Sequence, residues 1–277
     1  MKQNGRERKK PTLKLVERSQ PRANDAENVL YLYGITKASS VSPIEQVVGI
    51  DGEAPVETIV GSGLACWISR VSRLDYADRL GQNMEKLEWL ADVSVRHQRV
   101  VAAIGKERDV LPARFGTVFL SEASLLADLR ERRRELETDL KRIQGSDEWG
   151  VKVFSMLNRA KPPMPSQSGK DYLQKKAALL RARSSKPPDP EVLAFASELK
   201  RIAAEVAMGG KISAGQRNLE WQGSLLLRRS GRKKLEALLK KFSRQWGETR
   251  QIECTGPWPP YSFVSSGKRR SEGSGIS

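Results

Sequence analysis

The 277 residues of this chain can form one large or two ordinary domains, each long enough to bury a hydrophobic core. Lysine and arginine number 49 against 33 acidic residues, and the formal net charge of +16 favours solubility, anionic partners or both. No apolar run approaches the roughly 18 residues of a membrane span, and the basic stretch over residues 1–21 lacks the apolar core of a signal peptide, so we expect a cytoplasmic protein without membrane insertion.

Residues 1–27 and 265–277 are predicted to be disordered tails. They combine basic and small polar side chains with few large apolar residues, so they cannot bury a core. The basic positions include Arg6, Arg8, Lys9, Lys10, Lys14, Arg18, Arg22, Lys268, Arg269 and Arg270. Such tails can bind nucleic acid or an acidic membrane, or can simply be solvated, and the sequence leaves both interpretations open.

Residues 28–145 are predicted to form an N-terminal domain with a mixed α/β sheet. The β-rich run over residues 28–35 favours a buried strand. Two β-branched segments, 56–60 and 64–71, flank the glycine-rich turn at 61–63, which is typical of a hairpin.

A long helix is predicted from an N-cap at Asn83 to Ile104, with Gly105 as its stop. Apolar residues recur every three or four positions, and His97 lies on the same stripe. This histidine has no neighbouring metal ligand and no nucleophile to activate, so we expect a packed, hydrogen-bonded core residue.

Residues 109–119 are predicted to form one strand, at a sheet edge because Pro112 cannot donate a ladder hydrogen bond. Arg114 on its polar face is either an exposed partner contact or a structural arginine with satisfied hydrogen bonds. Ser121 is then expected to cap a second helix that runs through Ile143.

Residues 146–264 are predicted to form a C-terminal ferredoxin-like (split βαβ) domain with an enlarged helical first crossover. The predicted elements are a strand at 148–156, helices at 171–184 and 189–206, strands at 213–219 and 223–229, a helix at 230–246 and a strand at 249–254. The chain is therefore expected to be an α+β protein of two domains.

The octapeptide over residues 256–263 is the least generic stretch of the sequence. Its prolines are Pro257, Pro259 and Pro260, and its aromatic residues are Trp258, Tyr261 and Phe263. Each proline fixes φ near about −65° and removes a backbone donor, so the segment should extend neither a helix nor a central strand and should be a stiff polyproline-like hook. We expect the hook to hold its aromatic rings on one surface. It is either a strap packed on its own domain or an aromatic surface offered to a partner.

Several unusual strings in one order give the chain a family resemblance. They are Tyr31-Leu32-Tyr33-Gly34-Ile35, His97-Gln98-Arg99-Val100-Val101, Leu111-Pro112-Ala113-Arg114-Phe115-Gly116-Thr117, Glu148-Trp149-Gly150-Val151-Lys152 and the octapeptide. With these motifs the chain, over roughly residues 28–264, resembles the gas vesicle protein family GvpF/GvpL. The tails lie outside the resemblance, and residues 213–227 agree with it only weakly.

The resemblance implies a non-enzymatic accessory protein that is required for gas vesicle formation and associates with the vesicle. It implies as partners the hydrophobic shell protein and other accessory proteins. The contact residues that we predict are Trp258, Tyr261 and Phe263, with Pro257, Pro259 and Pro260 holding their geometry and with Arg114 as a further candidate.

The residues themselves show no signature of catalysis or of a cofactor. The sequence has no phosphate-binding loop, no CxxC and no histidine pair, so we predict neither a metal nor another cofactor. Cys66 and Cys254 lie in apolar runs and are expected to be buried thiols. The alternative function is a ferredoxin-like nucleic-acid-binding protein that uses its basic tails, although the expected central strands, 148–156 and 223–229, lack an aromatic stacking platform.

Overall fold

The structure is a computed structural model that describes residues 27–40, 44, 47–156, 189–208 and 218–265. The fold is mixed α+β with two antiparallel sheets. Apart from Glu27 and Ser265, the tails lie outside the described residues, as do the predicted helix at 171–184 and most of the predicted strand at 213–219. Ser265, which is predicted to belong to a disordered tail, is instead held by Asp139.

The first sheet has the strand order β2-β3-β1-β4, and β5 also pairs with β1. Its strands are β1 (Asn28–Lys37), β2 (Glu57–Gly61), β3 (Leu64–Ser72), β4 (Leu111–Pro112) and β5 (Val118–Phe119). The predicted hairpin joins β2 to β3, and its turn places Ser62 and Gly63 at φ values of 55° and 78°, as a two-residue turn requires.

The described residues of the first half form four α-helices. They are α1 (Leu80–Met84), α2 (Leu87–Glu107), α3 (Glu122–Glu131) and α4 (Arg133–Ile143), and a π-helical turn at Leu74–Asp78 precedes α1. Of these helices, α2, α3 and α4 contact the first sheet. Both faces of β1 are buried, because Leu30 and Leu32 pack with α3 and α4 in one cluster while Tyr31 and Tyr33 pack with α2 in another. We call these the first and the second cluster.

The second sheet has the strand order β7-β8-β6-β9, so β6 and β8 are central as predicted. Its elements are β6 (Ser146–Ser155), α5 (Pro190–Ile202), β7 (Glu205–Met208), β8 (Leu219–Arg228), α6 (Arg232–Trp246) and β9 (Arg250–Trp258). The two helices pack on one face of this sheet around Phe195, Leu225 and Trp246.

Three predicted elements of the first half are wrong in detail. The long helix begins at Leu87 and continues past Gly105 to Glu107. Asn83 lies inside α1, where its side-chain amide donates to the Asp75 carbonyl over 3.1 Å. Residues 109–119 form two short strands separated by a turn with Gly116 at φ 77°. Ser121 does cap a helix, but the helix is interrupted at Arg132.

Three corrections concern the second half. The helix predicted over residues 189–206 ends at Ile202, and Glu205–Met208 forms the edge strand β7. The closing strand continues past residue 254 to Trp258, so the octapeptide begins as the end of an edge strand, a place that tolerates proline. Cys254 is only half-buried, whereas Cys66 is fully buried, and both are free thiols.

Candidate partner-binding surface at the C-terminal strap

The last described segment, residues 256–265, crosses from the second sheet to the first, and we call it the strap. It starts in β9, where the pairing with β6 has an irregularity between Glu148 and Gly150. Gly256 sits there at φ 131°, and a Cβ atom on it would lie 2.8 Å from the Glu148 carbonyl oxygen. The strap therefore needs glycine at its first residue.

Pro257 and Trp258 are the exposed apolar residues of the strap. Trp258 is 48% exposed, although it is paired in register with Glu148 at the end of β9. A tryptophan this open to solvent presents a large apolar surface that a partner can bury.

Tyr261 faces the opposite way, into the second cluster. Its hydroxyl lies 3.1 Å from His97 Nε2, and the Tyr31 hydroxyl lies 3.0 Å from His97 Nδ1. Burial lowers the pKa of His97 to about 4, and a hydrogen bond to the Ala113 backbone offsets part of this effect. Burial, with a smaller contribution from Glu148, raises the pKa of Tyr261. His97 is thus the packed, hydrogen-bonded core residue that the sequence predicts.

Ser262 is held by the buried carboxylate of Glu148. The Ser262 N–H donates to Glu148 Oε2 over 2.8 Å, and its hydroxyl donates to Glu148 Oε1 over 2.6 Å. Charge-assisted bonds to a buried carboxylate are stronger than bonds between neutral groups. They anchor the strap to β6 of the second sheet.

Phe263 and Ser265 anchor the strap to the first sheet. Phe263 is 1% exposed and packs in the first cluster, which also contains Leu226 of β8. The Ser265 N–H and hydroxyl donate to the buried carboxylate of Asp139 on α4 over 2.8 and 3.0 Å. Arg142 donates to the same carboxylate and to the Phe263 carbonyl.

The expectation that the three aromatic rings share one surface is wrong. Trp258 points to solvent, whereas Tyr261 and Phe263 are packed in two different clusters. Of the prolines, Pro257 is exposed, Pro259 is partly buried and Pro260 is buried. Tyr261 and Phe263 enter different clusters because the strap lies between the two clusters and packs side chains into both.

Arg114 lies at an exposed position in the turn between β4 and β5. Its carbonyl accepts hydrogen bonds from the N–H and the hydroxyl of Thr117, over 3.1 and 2.7 Å. The turn therefore fixes the backbone from which this side chain projects.

Sequence reasoning did not identify the two carboxylates that hold the strap. Glu148 and Ser262 are separated by 114 residues, and Asp139 and Ser265 by 126. Asp139 sits among charged residues of a helix surface, so its pattern resembles that of a solvated face. The only available signal was the position of Glu148 on the strand predicted at the centre of a sheet.

The described residues contain no cluster of His, Cys, Asp and Glu that could hold a metal ion. Among the helices within the described ranges, none is long and apolar enough to cross a membrane. The buried carboxylates around the strap accept hydrogen bonds from the strap itself. These bonds hold the strap to both halves of the protein.

These features define a class, namely a mixed α+β protein with two antiparallel sheets that a C-terminal strap joins through their cores. The chain belongs to the family described as gas vesicle synthesis protein GvpL/GvpF, whose model matches residues 29–265.

Relatives within this family cover most of the chain. Gas vesicle protein L of Streptomyces sp. (strain CB03234) is 26% identical over 252 residues, which cover 86% of this chain and 93% of that protein. Gas vesicle protein F of the same strain is 27% identical and covers 84% of this chain and 98% of that protein.

The crystal structure of the gas vesicle protein GvpF from Anabaena sp. PCC7120 is similar, with a TM-score of 0.62 at 20% identity over 86% of this chain and 97% of that chain. The crystal structure of GvpF from Microcystis aeruginosa gives a TM-score of 0.60 at 18% identity, over 86% of this chain and 99% of that chain. These likenesses confirm the α+β fold. The family predicted from the sequence is confirmed by the family model that matches residues 29–265.

Proposed function

We propose that the protein is a non-enzymatic accessory factor in gas vesicle formation that binds the hydrophobic shell protein and other accessory proteins during assembly. The observation that carries this proposal is the family match over residues 29–265. The physical need is clear, since subunits with apolar surfaces and unpaired strand edges aggregate unless they are held until they join a wall.

The surface that we propose for the shell protein is the outer edge of β9 with Trp258 at its end. Within the described residues β9 pairs with β6 alone, so its other edge has no strand partner. A strand of the partner can add to such an edge through backbone hydrogen bonds. Trp258 then supplies the buried aromatic anchor that binding surfaces favour.

The other predicted contact residues take supporting roles in this proposal. Pro257 is exposed beside Trp258 and contributes apolar area. Pro259, Pro260, Tyr261 and Phe263 fix the position of the strap from inside the protein. Arg114, which is far from Trp258 in the sequence, is a second candidate contact residue because its position is exposed.

We also propose the finer description of the fold, in which residues 28–145 and 146–264 are two domains and the second is ferredoxin-like. The strand order β7-β8-β6-β9 with α5 and α6 on one face supports it. In this view the protein works in the cytoplasm in association with the vesicle.

The test is a pull-down of tagged protein from vesicle-producing cells, with nuclease treatment, beside the variant Trp258→Ala. The matched control is Leu193→Ala on α5, because both side chains are 48% exposed. We expect the tryptophan variant to recover at least about tenfold less shell protein, the loss expected for a hot-spot aromatic residue. The leucine variant should recover as much as the parent.

Two outcomes contradict the proposal. Equal recovery of shell protein by both variants would exclude Trp258 as the anchor of the shell-binding surface. Recovery of only nuclease-sensitive material from the parent protein would favour nucleic-acid binding instead.

A further inference from the structure

Helix α2 carries an exposed stripe on a side turned away from the first sheet. Leu87 is 80% exposed and Val95 is 57% exposed, whereas Val93, His97 and Val100 are buried against the sheet. The stripe consists of Leu87, Ala91, Val95, Gln98 and Ala102, which are all exposed. Their spacing of three or four residues places them along one line of the helix, as in a helix-to-helix seam.

One flank of this stripe is charged, and its charges are ordered. Glu88 and Asp92 lie in the first half of α2, and Arg99 and Lys106 in the second half. All four side chains are exposed, and no ion pair joins any of them to another residue in the part of the chain that the structure describes. The opposite flank carries Ser94 and Gly105 and is uncharged.

This order of charges complements itself in only one arrangement. When two identical helices pack antiparallel about a two-fold axis, the same flank of each helix meets its counterpart; in a parallel pair, opposite flanks meet. An antiparallel pair therefore brings the acidic half of one charged flank against the basic half of the other. A parallel pair would place the charges against the uncharged flank.

The positions of the charged residues along α2 are also consistent with a single two-fold axis. The midpoint of Glu88 and Lys106 is residue 97, and the midpoint of Asp92 and Arg99 lies between residues 95 and 96. These midpoints differ by about 2 Å along a helix that rises about 1.5 Å per residue, which side chains can absorb. Ala91 and Ala102 would then face each other and allow the two backbones to approach closely.

We propose that a second copy of this chain docks on α2, antiparallel and about a two-fold axis near residue 96, to form a homodimer. The proposal is independent of the shell-binding surface, which lies on β9. One helix from each subunit gives an interface at the small end of the known size range, so we expect dissociation in the micromolar range.

Sedimentation velocity of the full chain over a range of micromolar concentrations tests the dimer. We expect Asp92→Arg and Arg99→Asp each to weaken self-association about tenfold, because each replaces two symmetry-related attractions with repulsions. An equimolar mixture of the two variants should restore association to within about threefold of the parent, since every 92–99 pair then joins opposite charges. The control Lys240→Glu changes an exposed charge on α6 and should have no effect.

Crosslinking tests the orientation. In a Cys254→Ser background, Gln98→Cys places a thiol near the proposed axis, whereas Leu87→Cys places two thiols roughly 28 Å apart along the paired helices. A short bis-maleimide should therefore crosslink the first variant and not the second. Crosslinking through position 87 would overturn the antiparallel arrangement.

The sedimentation data can also overturn the proposal outright. A parent chain that stays monomeric at every concentration would contradict the dimer. This holds also if another segment of the same chain covers α2. A dimer that is indifferent to Asp92→Arg and Arg99→Asp forms through another surface.

Discussion

At the scale of single residues, the buried imidazole of His97 links strap stability to pH. Its pKa falls from 6.5 to about 4 on folding because burial disfavours the charged form. His97 therefore binds a proton more readily in the unfolded chain than in the folded protein. Its contribution to the free energy of unfolding is fully present above pH 6.5 and is lost as the pH falls towards 4. This shift corresponds to about 3 kcal/mol of unfolding free energy.

The measurement is the free energy of unfolding in urea at several pH values, for the parent and for His97→Gln. Acidic side chains contribute to the pH dependence of both proteins, so the difference between the two is informative. We expect the stability of the parent to fall more steeply than that of the glutamine variant between pH 6.5 and about 4. Parallel curves would show that His97 is not buried as a neutral group.

The carboxylate of Glu148 is the second residue on which the strap depends. Glu148→Gln replaces one acceptor oxygen with an amide donor that must face the N–H or the hydroxyl of Ser262. We expect a loss of about 2 kcal/mol of unfolding free energy, because a buried donor then lacks its acceptor.

Glu253→Gln on the exposed side of β9 is the matched control for Glu148→Gln and should change stability little. Amide hydrogen exchange locates the effect. The loss should appear as faster exchange at Ser262 and its neighbours. Unchanged exchange there would exclude Glu148 as an anchor of the strap.

At the scale of structural elements, Gly256 decides how β9 passes into the strap. Gly256→Ala would force a side chain into a positive φ and bring its Cβ atom within 2.8 Å of the Glu148 carbonyl oxygen. We expect a loss of about 2 kcal/mol or more, measured by urea denaturation.

The control for this substitution is Gly81→Ala in α1, where a Cβ atom meets no atom within 4 Å. Alanine is the better helix former, so this change should be neutral or slightly stabilising. Equal losses from the two substitutions would contradict the close approach at the start of the strap.

Elements with a strong local signal could be predicted from the sequence. The turn at Ser62 and Gly63 and the cap at Ser121 were both recognised, because the residues that make them are neighbours in the chain. Asn83 shows the limit of such signals. Its amide suits an N-cap, but it bonds to the Asp75 carbonyl inside α1.

The sequence identifies where the strap lies in the chain but does not predict which of its aromatic rings are buried. Its prolines identified a stiff, unusual segment, and its aromatic residues identified apolar contacts. Which ring is buried depends on partners such as His97 and Leu226, which are distant in the chain. A local pattern carries no information about those partners.

At the scale of the whole molecule, the strap makes the stability of the two sheets interdependent. Its residues bind Glu148 on β6 at one point and Asp139 on α4 at another. The first cluster itself contains residues of both sheets, among them Leu226. Loss of the strap should therefore weaken both halves of the protein together.

The comparison of Phe263→Ala with Trp258→Ala separates this internal role from partner binding. Phe263 is 1% exposed and Trp258 is 48% exposed, although they lie five residues apart. Phe263→Ala should lower the free energy of unfolding by about 3 to 5 kcal/mol, as truncation of a buried aromatic residue does. Trp258→Ala should cost less than about 1 kcal/mol and should leave a folded protein that fails to retain shell protein. The measurements are urea denaturation and the pull-down on the same preparations. If Trp258→Ala destabilised the protein as much as Phe263→Ala, its loss of partners would reflect unfolding, and the exposed edge would no longer be supported as a binding surface.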